Sequence, residues 1–223
     1  MKKLLYFVLF FLPAVALTSC EEELELWDST AVEYAGRYVV ELQSEDQSDT
    51  YHDYAYGMEI DLYNTASDTK NEIWFEDLHG DIPLKVKLFL DGSPTSFKSK
   101  SLKFEDLDAN MTNLEFPGNA PTSLGQIVTE DAEYLKGGII EGKILEKAAS
   151  TIGGNSADSI YIKISLKSGS ATFTSIETPE DRWVDPLVPE YEWEFTSMAY
   201  DDTRDEIYVI SGHRYTGFPE DRY

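Results

Sequence analysis

The chain has 223 residues, with 42 acidic side chains against 18 basic ones and a formal net charge of −24. Hydrophobic residues make up 42% and aromatics 13%, which excludes a disordered acidic polymer, and the charge repels phosphate backbones, which excludes nucleic acid as a partner. A single cysteine excludes an internal disulfide and every Cys-based zinc pattern, and a chain of this length builds a core without either.

Lys2 and Lys3 precede an uncharged apolar run, Leu4 to Leu17. A transmembrane helix needs about 20 residues, so the run reads as the apolar region of a secretory signal. It ends in Leu17-Thr18-Ser19-Cys20, which resembles the lipobox of bacterial lipoproteins. That resemblance implies that residues 1–19 are a signal peptide removed on maturation. Cys20 would then carry diacylglycerol on its sulfur and an acyl chain such as palmitate on its amine. Two or more chains anchor stably where one is marginal. Glu21, Glu22, Glu23 and Glu25 open an acidic tether over residues 20–33. Acidic residues in that place resemble the surface-export signal of some Gram-negative lipoproteins, and they read equally as a solvated spacer. The expected address is the outer membrane, lipid-anchored, at the cell surface if the export reading holds.

From Gly36 onward the chain alternates with period two. Tyr38, Val40 and Leu42 share one face, as do Met58, Ile60 and Leu62, then Leu84, Val86, Leu88 and Leu90, then Ile160, Ile162, Ile164 and Leu166. Further strands are expected at Glu72 to Glu76, Ser96 to Phe104, Gly138 to Lys147, Ala171 to Glu177, Tyr191 to Tyr200 and Glu206 to Arg214. Asp91-Gly92-Ser93-Pro94 and Lys167-Ser168-Gly169-Ser170 read as hairpin turns, and Gly153-Gly154-Asn155-Ser156 as a loop. Glu105 to Lys136 reads as a long excursion with one short helical turn at Asp131 to Leu135. The expected fold is all-β, one antiparallel barrel of about 8–10 strands over residues 34–223.

Catalytic and metal signatures fail. There is no G-x-S-x-G and no H-E-x-x-H, and His52, His79 and His213 lie far apart. Asp106 to Asn110 begins like a calcium loop, but Met111 stands where Gly is needed and Pro117 where Glu is needed. No metal and no cofactor are expected. Aromatics crowd at Tyr51, Tyr54, Tyr56, Tyr63, Trp74 and Phe75, and again at Trp183, Tyr191, Trp193 and Phe195, as core or as a ligand surface.

Ala35-Gly36-Arg37-Tyr38-Val39-Val40 opens as lipocalin-like barrels open, and Ser211 to Tyr223, SGHRYTGFPEDRY, resembles the closing motif of the lipid-binding putative hydrolase family. Tyr63-Asn64-Thr65-Ala66, Asn71-Glu72-Ile73-Trp74 and Ala157-Asp158-Ser159-Ile160 resemble internal segments of the same family. The resemblance spans roughly Tyr34 to Pro219, except Asp91 to Lys136. It implies a calycin-like barrel of a bacterial lipoprotein that holds an apolar ligand. No catalytic residue carries over, so the hydrolase of the family's name is not supported by any motif in this sequence.

The leading reading is a monomeric module, tethered to the membrane through Cys20, that binds a lipid or other apolar molecule. Tyr38, Val40, Met58, Ile60 and Trp74 would line its pocket if the barrel is open. A surface module for glycans or proteins and a hydrolase using Asp/Glu acid–base chemistry are the other readings. If Ile207 and Val209 point inward, His213 points to the interior or mouth and Arg214 to solvent. His213 would then touch a ligand headgroup, or hydrogen-bond a loop carbonyl and close the barrel.

Overall fold

The computed structural model describes residues 32–66, 69–78, 80–82, 84–91 and 95–222. Its strands are β1 (Gly36–Ser44), β2 (Thr50–His52), β3 (Glu59–Asn64), β4 (Glu72–Asp77), β5 (Lys85–Leu90), β6 (Ser96–Lys98), β7 (Ile127–Ser150), β8 (Ser156–Glu177), β9 (Tyr191–Tyr200) and β10 (Glu206–Arg214). All pairings are antiparallel. The order β10-β1-β3-β4-β5-β6-β7-β8 closes on itself, because β8 also pairs with β10, so eight strands form a ring. β2 lies outside it, against β1.

β8 serves two structures. Ser159 to Leu166 pair with β10 and complete the ring, while Gly169 to Glu177 pair with β9. The first residues of β7, Ile127 to Ala132, lie on the other side of that second half. The ring therefore extends into a three-stranded arm.

Period-two alternation fills the ring. Val40, Ile60, Phe75, Leu88, Ile162 and Ile210 are fully buried in one apolar cluster. A second cluster in the arm holds Leu114, Leu135, Ala171 and Phe173 beneath Trp193 and Phe195. Tyrosines close both ends of the ring. At one end the Tyr38 hydroxyl donates to the Tyr34 carbonyl at 2.8 Å, and the Tyr34 hydroxyl donates to Glu146 at 2.9 Å. That bond to Glu146, then burial, pushes the Tyr34 pKa up to about 12. At the other end Tyr134 and Tyr208 both donate to Glu206 Oε2, at 2.6 and 2.5 Å.

Four sequence expectations change. Lys167-Ser168-Gly169-Ser170 is not a turn but the middle of β8, where the strand passes from ring to arm. Asp131 to Leu135 is strand, not helix: it lies inside β7, at a bulge between Ala132 and Lys136 with Tyr134 at φ +53°. β7 begins at Ile127 rather than Gly138, since Leu135 and Ala132 belong to the apolar face of the arm. β6 stops at Lys98, and Phe104 starts a 3-10 turn. Residues 92–94 of the expected turn lie outside the described residues, as does His79, but Asp91 N–H donates to the Ser96 carbonyl at 2.8 Å and β5 and β6 flank the turn as an antiparallel pair.

One close approach fixes the narrow part of the ring. Phe97 crosses Gly142 so tightly that a Cβ there would stand 2.0 Å from its ring. Gly142→Val should lower unfolding free energy by about 1–3 kcal/mol, read from urea melts. A variant as stable as the parent would show that this packing is slack.

Candidate functional site

β6 is three residues long, and its shortness shapes the wall. It pairs with β5 at Phe89–Lys98 and Leu90–Phe97, and with β7 at Ser96–Lys143 and Phe97–Gly142. Ser99 extends the second ladder: its N–H donates to the Ile139 carbonyl at 2.9 Å, and its Oγ accepts from the Ile139 N–H at 2.9 Å. Past Ser99 the chain swings away through the 3-10 turn Phe104–Asp106. Residues 85–88 of β5 therefore pair with no strand on that flank among the described residues.

The seam forms a cleft of about 720 Å³. Leu84, Val86 and Leu107 give it an apolar lining beside Gly137, with Trp74 and Phe89 at its sides. Lys85, Lys87 and Lys100 reach its rim, as do Asp106 and Asp108. Alternation explains the lysines. Lys85, Lys87 and Phe89 occupy the outer face of β5 while Val86 and Leu88 face the core.

The rim cations are unequally committed. Lys85 Nζ lies 3.2 Å from Glu76, which also accepts from the Tyr63 hydroxyl at 2.6 Å. Tyr63 first, and Lys85 with it, hold the Glu76 carboxyl below its ordinary range. Lys87 pairs with Glu72 at 3.1 Å, and Lys85 and Lys87 stand 5.9 and 5.5 Å from the Trp74 ring. Lys100 pairs with no carboxylate among the described residues; its Nζ stands 5.8 Å from the Phe89 ring. Asp106 accepts from the Ser101 hydroxyl at 2.7 Å. The result is an apolar slot whose edge carries both signs, with Lys100 the rim lysine outside any ion pair among the described residues. Among the described residues no three metal-ligating side chains converge anywhere.

The residues singled out in the sequence separate. Tyr38, Val40, Met58 and Ile60 face inward, but each is fully buried in a packed interior. Trp74 faces outward, because its neighbours Ile73 and Phe75 take the core face, and it lines the cleft instead. His213 lies on the outer face with Val209, since Ile210 and Tyr208 point to the core. It is buried under Tyr54, ring centroids 5.8 Å apart, and its Nδ1 lies 3.2 Å from the Arg214 carbonyl. Arg214 instead faces the ring's end, donating to the carbonyls of Glu33 and Ala35 at 2.9 and 2.6 Å. Burial decides the reversal: Ile210 is the residue that fills the core. Cys20 lies outside the described residues.

Tyr54 and Tyr56 fasten the β2 excursion to the ring. Tyr56 stacks on His52 at 3.9 Å and donates to Asp81 at 2.9 Å. Sequence reasoning missed Lys87, Lys100 and Leu107. The available signal was the run Lys98, Lys100 and Lys103 in a chain of net charge −24, close to the lysines on the outer face of β5.

The closing motif has a structural role. Gly217 takes φ +92° and turns the tail back, and Asp221, fully buried, then accepts four hydrogen bonds. These come from the Thr216 hydroxyl at 2.6 Å, the Thr151 hydroxyl at 2.7 Å, Asn155 Nδ2 at 2.8 Å and the Gly153 N–H at 3.1 Å. Arg222 donates to Glu59, which also pairs with Arg37 at 3.2 Å. The tail thus clamps the β7–β8 hairpin and β3 together.

The sequence profile described as lipid-binding putative hydrolase matches residues 23–219, and the chain belongs to that family. No curated protein sequence matches it.

The four donors, Thr216 foremost, hold the Asp221 pKa down at about 2 against an ordinary 3.8. A depressed carboxylate stabilises the fold above the ordinary pKa, and that stability is lost as pH falls from 3.8 through about 2. Asp221→Asn should therefore melt lower than the parent at pH 7, and the gap should narrow at pH 2.5. A gap that is constant with pH would mean that the carboxylate charge is irrelevant.

Proposed function

We propose that the chain is an outer-membrane lipoprotein, held by lipid on Cys20, that binds a further lipid in the cleft between β5 and β7 rather than inside the barrel. The observation behind this reading is the cleft itself. Its 720 Å³ falls within the roughly 300–1,000 Å³ of small-molecule sites, and its lining joins apolar side chains to a few polar ones. Among the described residues the inward side chains form one packed cluster, and tyrosine hydroxyls are hydrogen-bonded at both ends of the ring. Family membership supports a lipid as the ligand class. The lipobox and the acidic tether support the address.

Two experiments test the two halves. Cys20→Ala should move the protein from the detergent phase to the aqueous phase on phase separation; retention in detergent would end the anchor reading. Native mass spectrometry of the Cys20→Ala protein should find a co-purifying lipid. Trp74→Ala should reduce that occupancy by roughly tenfold, about 1.4 kcal/mol, as the apolar area that the indole buries against the chain is lost. Met58→Ala should cost about 2–5 kcal/mol of stability while leaving the lipid bound. The opposite pattern, with lipid lost in Met58→Ala alone, would put the site inside the barrel.

A further inference from the structure

We propose that the cleft takes a long-chain carboxylate, an ionised fatty acid. Its head would lie at Lys100 and Lys87, and its single chain would run over Leu84, Val86 and Leu107. The proposal rests on the cleft being a lipid site and adds the number of chains and the charge of the head.

Size admits a single chain. If each heavy atom of a ligand needs about the ~30 Å³ share of one water molecule, 720 Å³ holds about two dozen heavy atoms, enough for a fatty acid of about 16–18 carbons.

Charge decides the head. The protein as a whole repels anions and the rim carries both signs, so an anionic head is held only where a lysine is uncommitted. Lys85 is occupied by Glu76 and Lys87 by Glu72, but Lys100 has no carboxylate partner among the described residues. An ammonium has three donors, so Lys87 keeps hydrogens for a second acceptor while Lys100 offers all of its own. A ligand carboxylate near Phe89 would accept charge-assisted hydrogen bonds from both. Asp106 and Asp108 fix the orientation, because a carboxylate beside them would be repelled. The head therefore belongs at the Phe89 side and the chain at the apolar lining. An apolar slot beside an uncommitted lysine describes a site for a single-chain carboxylate.

The test is calorimetric titration of the mature Cys20→Ala chain with palmitate, hexadecanol, hexadecyltrimethylammonium and dipalmitoyl phosphatidylglycerol. Palmitate should bind at least tenfold more tightly than each of the others. Lys100→Glu should weaken palmitate about tenfold and leave hexadecanol unchanged. Lys98→Glu, whose lysine pairs with Asp91 at 2.6 Å away from the cleft, should change neither. The alcohol or the ammonium binding as tightly as palmitate would overturn the charge argument, and phosphatidylglycerol doing so would overturn the size argument. Equal palmitate binding by Lys100→Glu and its parent would remove Lys100 from the site. If none of the four binds, the lipid reading of the cleft itself falls.

Discussion

Every part of this molecule depends on one strand having two partners. β8 is 22 residues long, about 70 Å at the usual rise, where most strands run 3–10 residues. Its first half is bonded to β10 and its second to β9, so the handover must occur at Lys167-Ser168-Gly169. Small size and buried polar bonds make the handover feasible. A Cβ on Gly169 would stand 2.0 Å from the Ala199 carbonyl oxygen, so only glycine fits there. Lys167, almost wholly buried, donates to Tyr200 and Asp205 at 3.1 and 2.9 Å. Arg204 reaches the Gly169 carbonyl at 2.7 Å from the connection between β9 and β10. The cations at the branch point hold apart two strands that would otherwise compete for one edge.

Closing the ring in this way has a cost for binding inside it. Eight strands enclose space either for their own inward side chains or for one small ligand, and here the inward side chains are large and packed together. Both ends are then shut by tyrosine hydroxyls bonded to Glu146 and Glu206. Free volume is displaced to the wall, where β6 is too short to cover β5. The same geometry sets the chemistry of the cleft, because the outer face of a strand is where alternation puts charged side chains. A pocket between inward leucines and outward lysines is amphipathic by construction.

The sequence was most legible where one face of a strand meets the core and the other meets water. Tyr38, Val40 and Leu42, or Met58, Ile60 and Leu62, declare their inward face without help. Legibility failed where both faces are covered. His213 and Val209 are buried on the outer face by Tyr54 and the β2 excursion, so burial could not be equated with the interior. It failed again at Lys167 to Ser170, whose Lys-Ser-Gly-Ser composition is that of a turn, because the residues that make Gly169 necessary lie on β9, thirty positions away. The cleft was the least legible feature, since its lining comes from β4, β5, β7 and the segment after β6, and no single stretch shows an amphipathic slot. Trp74 alone was picked out from sequence, for its aromatic character rather than its neighbours.

The ring also dictates an order of events. β1 and its partner β10 are far apart in the chain, with Tyr38 opposite Arg214 and Ser44 opposite Tyr208. The latch on Asp221 and Arg222 follows β10 and reaches back to Thr151 and Glu59. Until β10 is made, the sheet keeps an open edge at β1, and its core is enclosed only when the two strands meet. Contacts of such long sequence separation form slowly, so closing the ring is the late step. This topology makes lateness a property of the chain itself.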